Sequence, residues 1–229
     1  MNCYHNRKSR TMLHNSKALT VILCLAPLGA VAQTGIELSV YGGAQNAPHS
    51  VVTVTGDSVI PDDEFRMGWV GKSLSAPPYY GIRATVWKTP TFGYGLDFAH
   101  NKIYPQEGDL PAGYDFLEFT DGLNTLTVNA YRRWNNALGD ISPYVGGGLG
   151  ISIPYVEVVY GTSETFSYQV AGPAATWIAG ASYPINDRWS VFGEYKGTYT
   201  QNIADLDTGG ELKTDVVTNA VNVGLSFKF

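Results

Sequence analysis

From residue 36 onward the chain alternates apolar and polar positions with a period of two, in segments separated by short turns and longer polar stretches. Ile36, Leu38 and Val40 alternate with Glu37, Ser39 and Tyr41, and Val221, Val223, Leu225, Phe227 and Phe229 alternate with Asn222, Gly224, Ser226 and Lys228. Successive side chains of a strand point to opposite faces, so this period places each set on one side of a sheet. The pattern predicts eight strands, over residues 36–45, 65–87, 92–104, 123–134, 144–160, 166–183, 189–200 and 212–229. Pro77-Pro78 should break or bulge the second, because an interior proline cannot donate to the ladder. Gly146-Gly147-Gly148 allows sharp curvature in the fifth. Thr89-Pro90-Thr91, residues 135–140 and residues 184–188 read as turns, and a short connection centred on Thr162 joins strands five and six. Longer loops are expected up to Glu64, over 105–121 and around 207–210.

An even number of strands, with short turns alternating with longer loops, predicts an all-β fold: an eight-stranded antiparallel up-and-down transmembrane β-barrel. Composition supports the membrane form over a soluble sandwich or lipocalin-like barrel. Charged residues make up 15% of the chain, against roughly 25% in soluble domains. Aromatics reach 13%, with 15 Tyr, and there are 26 Gly. Mean hydropathy is nevertheless near zero, as expected when lipid-facing and lumen-facing residues alternate. Parity points Ile82, Ala84, Val86, Tyr94, Leu96 and Phe98 at lipid. Tyr183, Trp189 and Trp134 should form an inner aromatic girdle, and Tyr104, Tyr160 and Phe166 an outer one. The alternating carboxy-terminal strand ending in Phe229 is a mark of barrels handed to the outer-membrane assembly machinery.

Residues 1–32 read as an export signal. Arg7, Lys8, Arg10 and Lys17 precede an apolar core over 18–28, and Ala30-Val31-Ala32 is an A-x-A cleavage site, so a mature barrel of residues 33–229 should begin at Gln33. Met12 offers an alternative start. Both cysteines, Cys3 and Cys24, fall inside the signal, which excludes thiol nucleophiles, disulfides and Cys-ligated zinc from the mature protein. The mature chain then carries 11 Lys+Arg against 20 Asp+Glu, an unfavourable balance for a nucleic-acid partner. Location in the outer membrane, contact with its lipids and a monomeric state are the corresponding expectations.

Two regions hold candidate chemistry. With Pro90 centring a turn, Arg83 faces Asp97 across the lumen side of strands two and three; Glu37, Tyr131, Arg133, Glu194 and Lys196 share that inward parity. A barrel this small has room only for side chains, so these charges should pair. The second region is the long-loop end, rich in carboxylates and holding the mature chain's only histidines, His49 and His100. Gln45, Glu118, Asp121, Asn124, Gln169 and Asn219 are nearby. Histidine and carboxylates serve as general bases or metal ligands; equally, carboxylates there can bridge divalent cations to lipid phosphates. His49-Ser50 is a faint hint of a base and a nucleophile. There is no P-loop, no G-x-S-x-G and no dinucleotide fingerprint, so neither a nicotinamide nor a flavin is expected.

Several motifs together carry a family resemblance: Glu37-Leu38-Ser39 with Gly43-Ala44-Gln45, Ala47-Pro48-His49-Ser50, Pro77-Pro78-Tyr79-Tyr80-Gly81-Ile82-Arg83-Ala84, and Tyr94-Gly95-Leu96-Asp97-Phe98 with His100. Leu117-Glu118-Phe119-Thr120-Asp121-Gly122-Leu123-Asn124, Ile153-Pro154-Tyr155-Val156-Glu157, Tyr168-Gln169-Val170-Ala171-Gly172-Pro173, Thr214-Asp215 and Thr218-Asn219-Ala220-Val221 extend it through the chain. The plan resembles OmpA-type small barrels, and the motifs resemble lipid A oxidases, outer-membrane barrels linked to forming 2-aminogluconate in lipid A. The resemblance implies oxidation of the proximal glucosamine of lipid A with dioxygen. Its rival is a non-catalytic barrel that stabilises the membrane or binds surface partners; lipid A deacylation is a third class. An oxidase site would fall at the outer rim with His100, Glu118, Asp121 and His49 as catalytic candidates. Dioxygen normally needs a cofactor, for which a divalent metal held by His and carboxylates is the candidate.

Overall fold

The computed structural model describes residues 35–229; the export signal and the cut after Ala32 lie outside them. Among the described residues all regular structure is β: β1 (Gly35–Asn46), β2 (Ser50–Thr55), β3 (Asp63–Met67), β4 (Trp69–Val70), β5 (Tyr80–Trp87), β6 (Phe92–Pro105), β7 (Tyr114–Arg133), β8 (Ser142–Tyr160), β9 (Ser163–Tyr168), β10 (Gly172–Pro184), β11 (Trp189–Asp205) and β12 (Glu211–Lys228). Eight of them close an antiparallel ring in the order β1-β5-β6-β7-β8-β10-β11-β12, with β12 returning to β1. Closure leaves the ring no free edge. The fold is the expected eight-stranded antiparallel barrel.

Strand boundaries differ from the sequence expectation in four places, the first being the loop expected up to Glu64, which contains β2. The stretch 65–87 is not one strand: only β5 joins the ring, while β3 pairs β2 and β4 pairs β6. The stretch 166–183 divides into β9, which folds back on β8, and β10, which continues the wall. The expected loop 105–121 already contains the start of β7, whose period is obscured by register shifts on either side of residues 116–118. Pro77-Pro78 before β5 and the register shifts in β7 interrupt the alternation, so a simple period-two reading misplaces those ends.

The interior changes character along the barrel axis. Around the short-turn end and the middle, the outside is apolar, with Val40, Leu96, Val128, Leu149, Val221 and Val223 exposed. The inside there is polar, with Arg83, Asp97, Asn129, Thr176, Glu194 and Lys196 buried. Trp134, Tyr183 and Trp189 lie exposed at the short-turn end, as a girdle would. Beyond the middle, β2, β3, β9 and the ends of β7, β8, β11 and β12 build a cap with a different interior. Its interior is apolar, packing Val52, Ile60, Met67, Trp69, Phe119 and Leu212 among others. Tyr160, expected in an outer girdle, instead packs against this core beside Tyr114, with ring centroids 5.0 Å apart. The expected polar loops are thus largely strands folded around their own core.

In the middle tier the Arg83–Asp97 pairing holds in both register and side chains: Arg83 Nε donates to Asp97 Oδ2 at 2.7 Å. The guanidinium also forks onto Glu194, at 2.8 and 3.0 Å, and lies against the rings of Tyr41, Tyr131 and Phe192. Lys196 donates to Asp97 and to the Tyr41 hydroxyl, and Tyr144 donates to Glu194 at 2.6 Å. Two cations, two carboxylates and their hydrogen-bond partners therefore fill the cross-section, as a buried charge cluster requires. Nearer the short turns, Glu37 accepts from Trp87 Nε1 at 3.0 Å and lies 3.6 Å from Arg133, lining an open vestibule.

Two glutamines mend the wall where strands run out. β1 extends past the start of β5, leaving residues 43–46 facing β6 without an intervening strand. There Gln45 Nε2 donates to the Lys102 carbonyl at 2.7 Å and Gln45 Oε1 accepts from the Lys102 amide at 3.0 Å. Gln169 does the same to Asp205, donating to its carbonyl at 2.9 Å and accepting from its amide at 2.8 Å. A primary amide carries the donor and acceptor of one peptide unit, so each side chain stands in for a missing strand residue.

Candidate functional site

His100 lies on the outward face of β6, in line with Tyr94, Leu96 and Phe98, yet it is buried. Three neighbours cover it. Tyr80, its partner on β5, stacks on the imidazole with ring centroids 5.3 Å apart. Asn124, its partner on β7, has Oδ1 2.8 Å from His100 Nδ1. Gly122 lies over the ring at a φ of +120°, a conformation open to glycine; a Cβ there would come within 2.6 Å of the imidazole. His100 Nε2 is buried with no hydrogen-bond partner among the described residues.

The notch arises because β7 loses register between Glu118 and Leu123. The freed segment carries Gly122 onto His100 and puts the exposed Asp121 within electrostatic reach of it. Tyr168 donates to the Asp121 carbonyl at 3.0 Å and packs at a tilt against Tyr155, with ring centroids 4.7 Å apart, so aromatic rings border the same face. His100, Asp121 and Asn124 thus gather on one outward surface.

The other candidates are placed differently. Glu118 stands opposite Glu157 on the β7–β8 ladder, beyond the register shift. His49 lies 3.9 Å from Asp109, on the exposed side of the cap. Ser50 is turned into the barrel, where its hydroxyl accepts from Trp69 Nε1 at 2.7 Å and contacts Thr214. His49, just before β2, lies on the exposed side while the Ser50 hydroxyl is buried against Trp69 and Thr214, so the two do not form the base–nucleophile pair their adjacency hinted at. No group of three or more His, Cys, Asp or Glu able to hold a metal gathers among the described residues; the four candidates do not fit the divalent ion expected for dioxygen chemistry. Asn219, which breaks the apolar face of β12, accepts from the Tyr195 hydroxyl at 2.6 Å and so is satisfied on the barrel exterior.

The cap fixes its loops with carboxylates. Asp57 accepts from the amides of Val59 and Ile60, at 2.7 and 2.8 Å, and from the Thr208 hydroxyl at 2.6 Å. Burial pushes its carboxyl up, but the three hydrogen bonds outweigh burial and hold it below its ordinary value. In the cap core, burial, reinforced by nearby Asp63, pushes the Tyr114 hydroxyl up to about 12.

Sequence reasoning placed His100, Glu118 and Asp121 on one side of the barrel with Asn124 below them; the structure keeps His100, Asp121 and Asn124 close and sets Glu118 beyond the register shift. Sequence reasoning missed Tyr80 and Gly122, which cover His100. The alternation marks Tyr80 as outward, but only the register shift brings Gly122 into place.

No protein-family model matches the chain, and no curated protein matches it. Among solved structures, the chain is similar to Neisserial surface protein A, at 14% identity and a TM-score of 0.47, covering 86% of this chain and 98% of that one. The outer membrane protein OprG from Pseudomonas aeruginosa is 12% identical with a TM-score of 0.49, over 86% and 95% of the two chains. Ail, the attachment invasion locus protein of Yersinia pestis, is 12% identical with a TM-score of 0.42, over 86% and 100%. The ring of eight strands rests on the pairings described above.

Proposed function

We propose that this chain is an outer-membrane barrel that crosses the bilayer with its lumen closed and carries a folded, acidic cap on the outer side. It acts as a structural or surface-binding barrel, not as a pore. The observation that supports this most directly is the double closure of the interior: the Arg83–Asp97–Glu194–Lys196 cluster fills the middle tier, and an apolar core fills the cap. The exposed apolar belt and the aromatic residues at the short-turn end support the membrane setting. The test is conductance of the purified barrel in planar bilayers. Wild-type protein, inserted and resistant to added protease on one side, should give no ion-conducting steps; steady conductance would overturn the closed-barrel reading.

A second reading, oxidation of lipid A, is favoured by one arrangement: His100, Asn124 and Asp121 share an outward surface near the end of the apolar belt. His100 Nε2 has no partner among the described residues, but it lies beneath Tyr80 and Gly122, so it takes a hydroxyl proton from a headgroup only when those neighbours move aside. Mass spectrometry of lipid A from a host with and without the gene separates the readings. Oxidation adds one oxygen, and His100→Ala should abolish that gain at matched folded levels; unchanged lipid A in cells making folded wild-type protein would overturn this reading.

A further inference from the structure

We propose that the strap between β4 and β5, residues 71–79, together with the cap end of β6 forms a binding site for the negatively charged phosphate headgroup of a membrane lipid, with Lys72 and Lys102 as the anion's partners. This rests on the reading of the chain as a membrane-spanning barrel. Lys102 is 1% exposed, and its ammonium reaches only the carbonyls of Ser75 and Ala76, at 3.3 and 3.5 Å, and the face of Tyr104, 5.2 Å from the ring centroid. Among the described residues no carboxylate lies within ion-pair distance of it or of Lys72. An ammonium has three donors, and a buried cation without a countercharge is costly. Lys72 projects over the same ring, 4.2 Å from its centroid. Two cations therefore sit over one tyrosine ring, and neither has a carboxylate within ion-pair distance among the described residues.

The surroundings make this spot unusual. Residues 47–79, 102–122, 155–170 and 201–215 carry 15 Asp+Glu against 4 Lys+Arg, and two of those four bases meet at Tyr104. The strap is held in place: the Gln45 amide donates to Ser73 Oγ at 2.8 Å, Ser73 Oγ donates to the Gln45 carbonyl at 3.1 Å, and Tyr79 N donates to the Ser73 carbonyl at 2.8 Å. Its tip presents Leu74, 91% exposed. The next outward residues along the wall are Tyr80 and Ile82 on β5 and Phe98 and Leu96 on β6, the end of the apolar belt. An apolar tip beside two cations at the margin of that belt fits the junction between acyl chains and phosphates. The tip is buried by acyl chains, and the cations meet the anion, which the remainder of the acidic cap would repel.

The test is native mass spectrometry of the barrel in maltoside micelles, offered phosphatidylglycerol, uncharged diacylglycerol or inorganic phosphate, with folding checked by heat-dependent gel migration. Wild-type protein should retain phosphatidylglycerol at least about tenfold more tightly than diacylglycerol. Lys72→Gln, at an exposed position, should lose most of that preference, and Lys102→Gln should lose it too if folded. Inorganic phosphate at matched concentration should leave the lipid bound. Equal retention of both lipids, undiminished preference in Lys72→Gln, or displacement of the lipid by phosphate alone would each overturn the proposal. A barrel that will not insert into bilayers would instead sink the membrane-spanning reading itself.

Discussion

Arg83 meets side chains from four other strands: Asp97 on neighbouring β6, Glu194 and Phe192 on β11, Tyr41 on β1 and Tyr131 on β7. The Asp97 pairing was legible from turn arithmetic, because a tight turn fixes the register of a hairpin. The Glu194 contact was not, because it depends on how far the sheet curls before closing. Replacing Asp97 with Asn, or Arg83 with Lys, removes one charge or the fork that serves both carboxylates at once. Either change should destabilise the folded barrel by about 3 to 5 kcal/mol, read as a lower urea midpoint; an unchanged midpoint in both would show that the cluster is not under strict pairing. Gln45 and Gln169 looked like candidate site residues because they are polar near the rim. The structure uses both as backbone substitutes. Gln45→Leu should leave the Lys102 amide and carbonyl without their partners at a cost of about 1 to 3 kcal/mol, seen as faster amide exchange at Lys102; unchanged exchange there would mean that the strap, not Gln45, closes the seam.

β5 and β9 show where hydrophobic alternation stops being sufficient. Pro77-Pro78 correctly signalled a break, but alternation could not say that the chain before it would leave the ring and pair elsewhere. Similarly, residues 114–119 carry the apolar Tyr114, Leu117 and Phe119 of the cap core, yet the register shifts in β7 spoil the period that would have announced a strand. Bulges re-aim side chains without changing composition, so they are invisible to a fixed-period reading. The loop joining β2 and β3 depends on Asp57, whose carboxyl is held below its ordinary value of 3.8. Its contribution is full above that ordinary value and is lost as pH falls through the lower folded value. Amide protection at Val59 and Ile60 should therefore fall as the protein is acidified below about pH 4, and Asp57→Asn should remove that pH dependence; protection that stays flat in the wild type would exclude a role for the ionised carboxylate.

The chain as a whole is a barrel whose inside changes from polar to apolar along its axis. Composition and alternation determined a good deal of this by themselves: β structure throughout, eight wall strands, an apolar outer face, and inward charges near Arg83. Those features follow from a local period of two and from the need of each face to match its surroundings. Tertiary structure alone decided which charges share a cluster, that the long loops fold around a core of their own, that two glutamines close the wall, and that Gly122 and Tyr80 bury His100. Each depends on ring closure and on register shifts, which bring together residues far apart in the chain, and no local pattern encodes the distance between such residues.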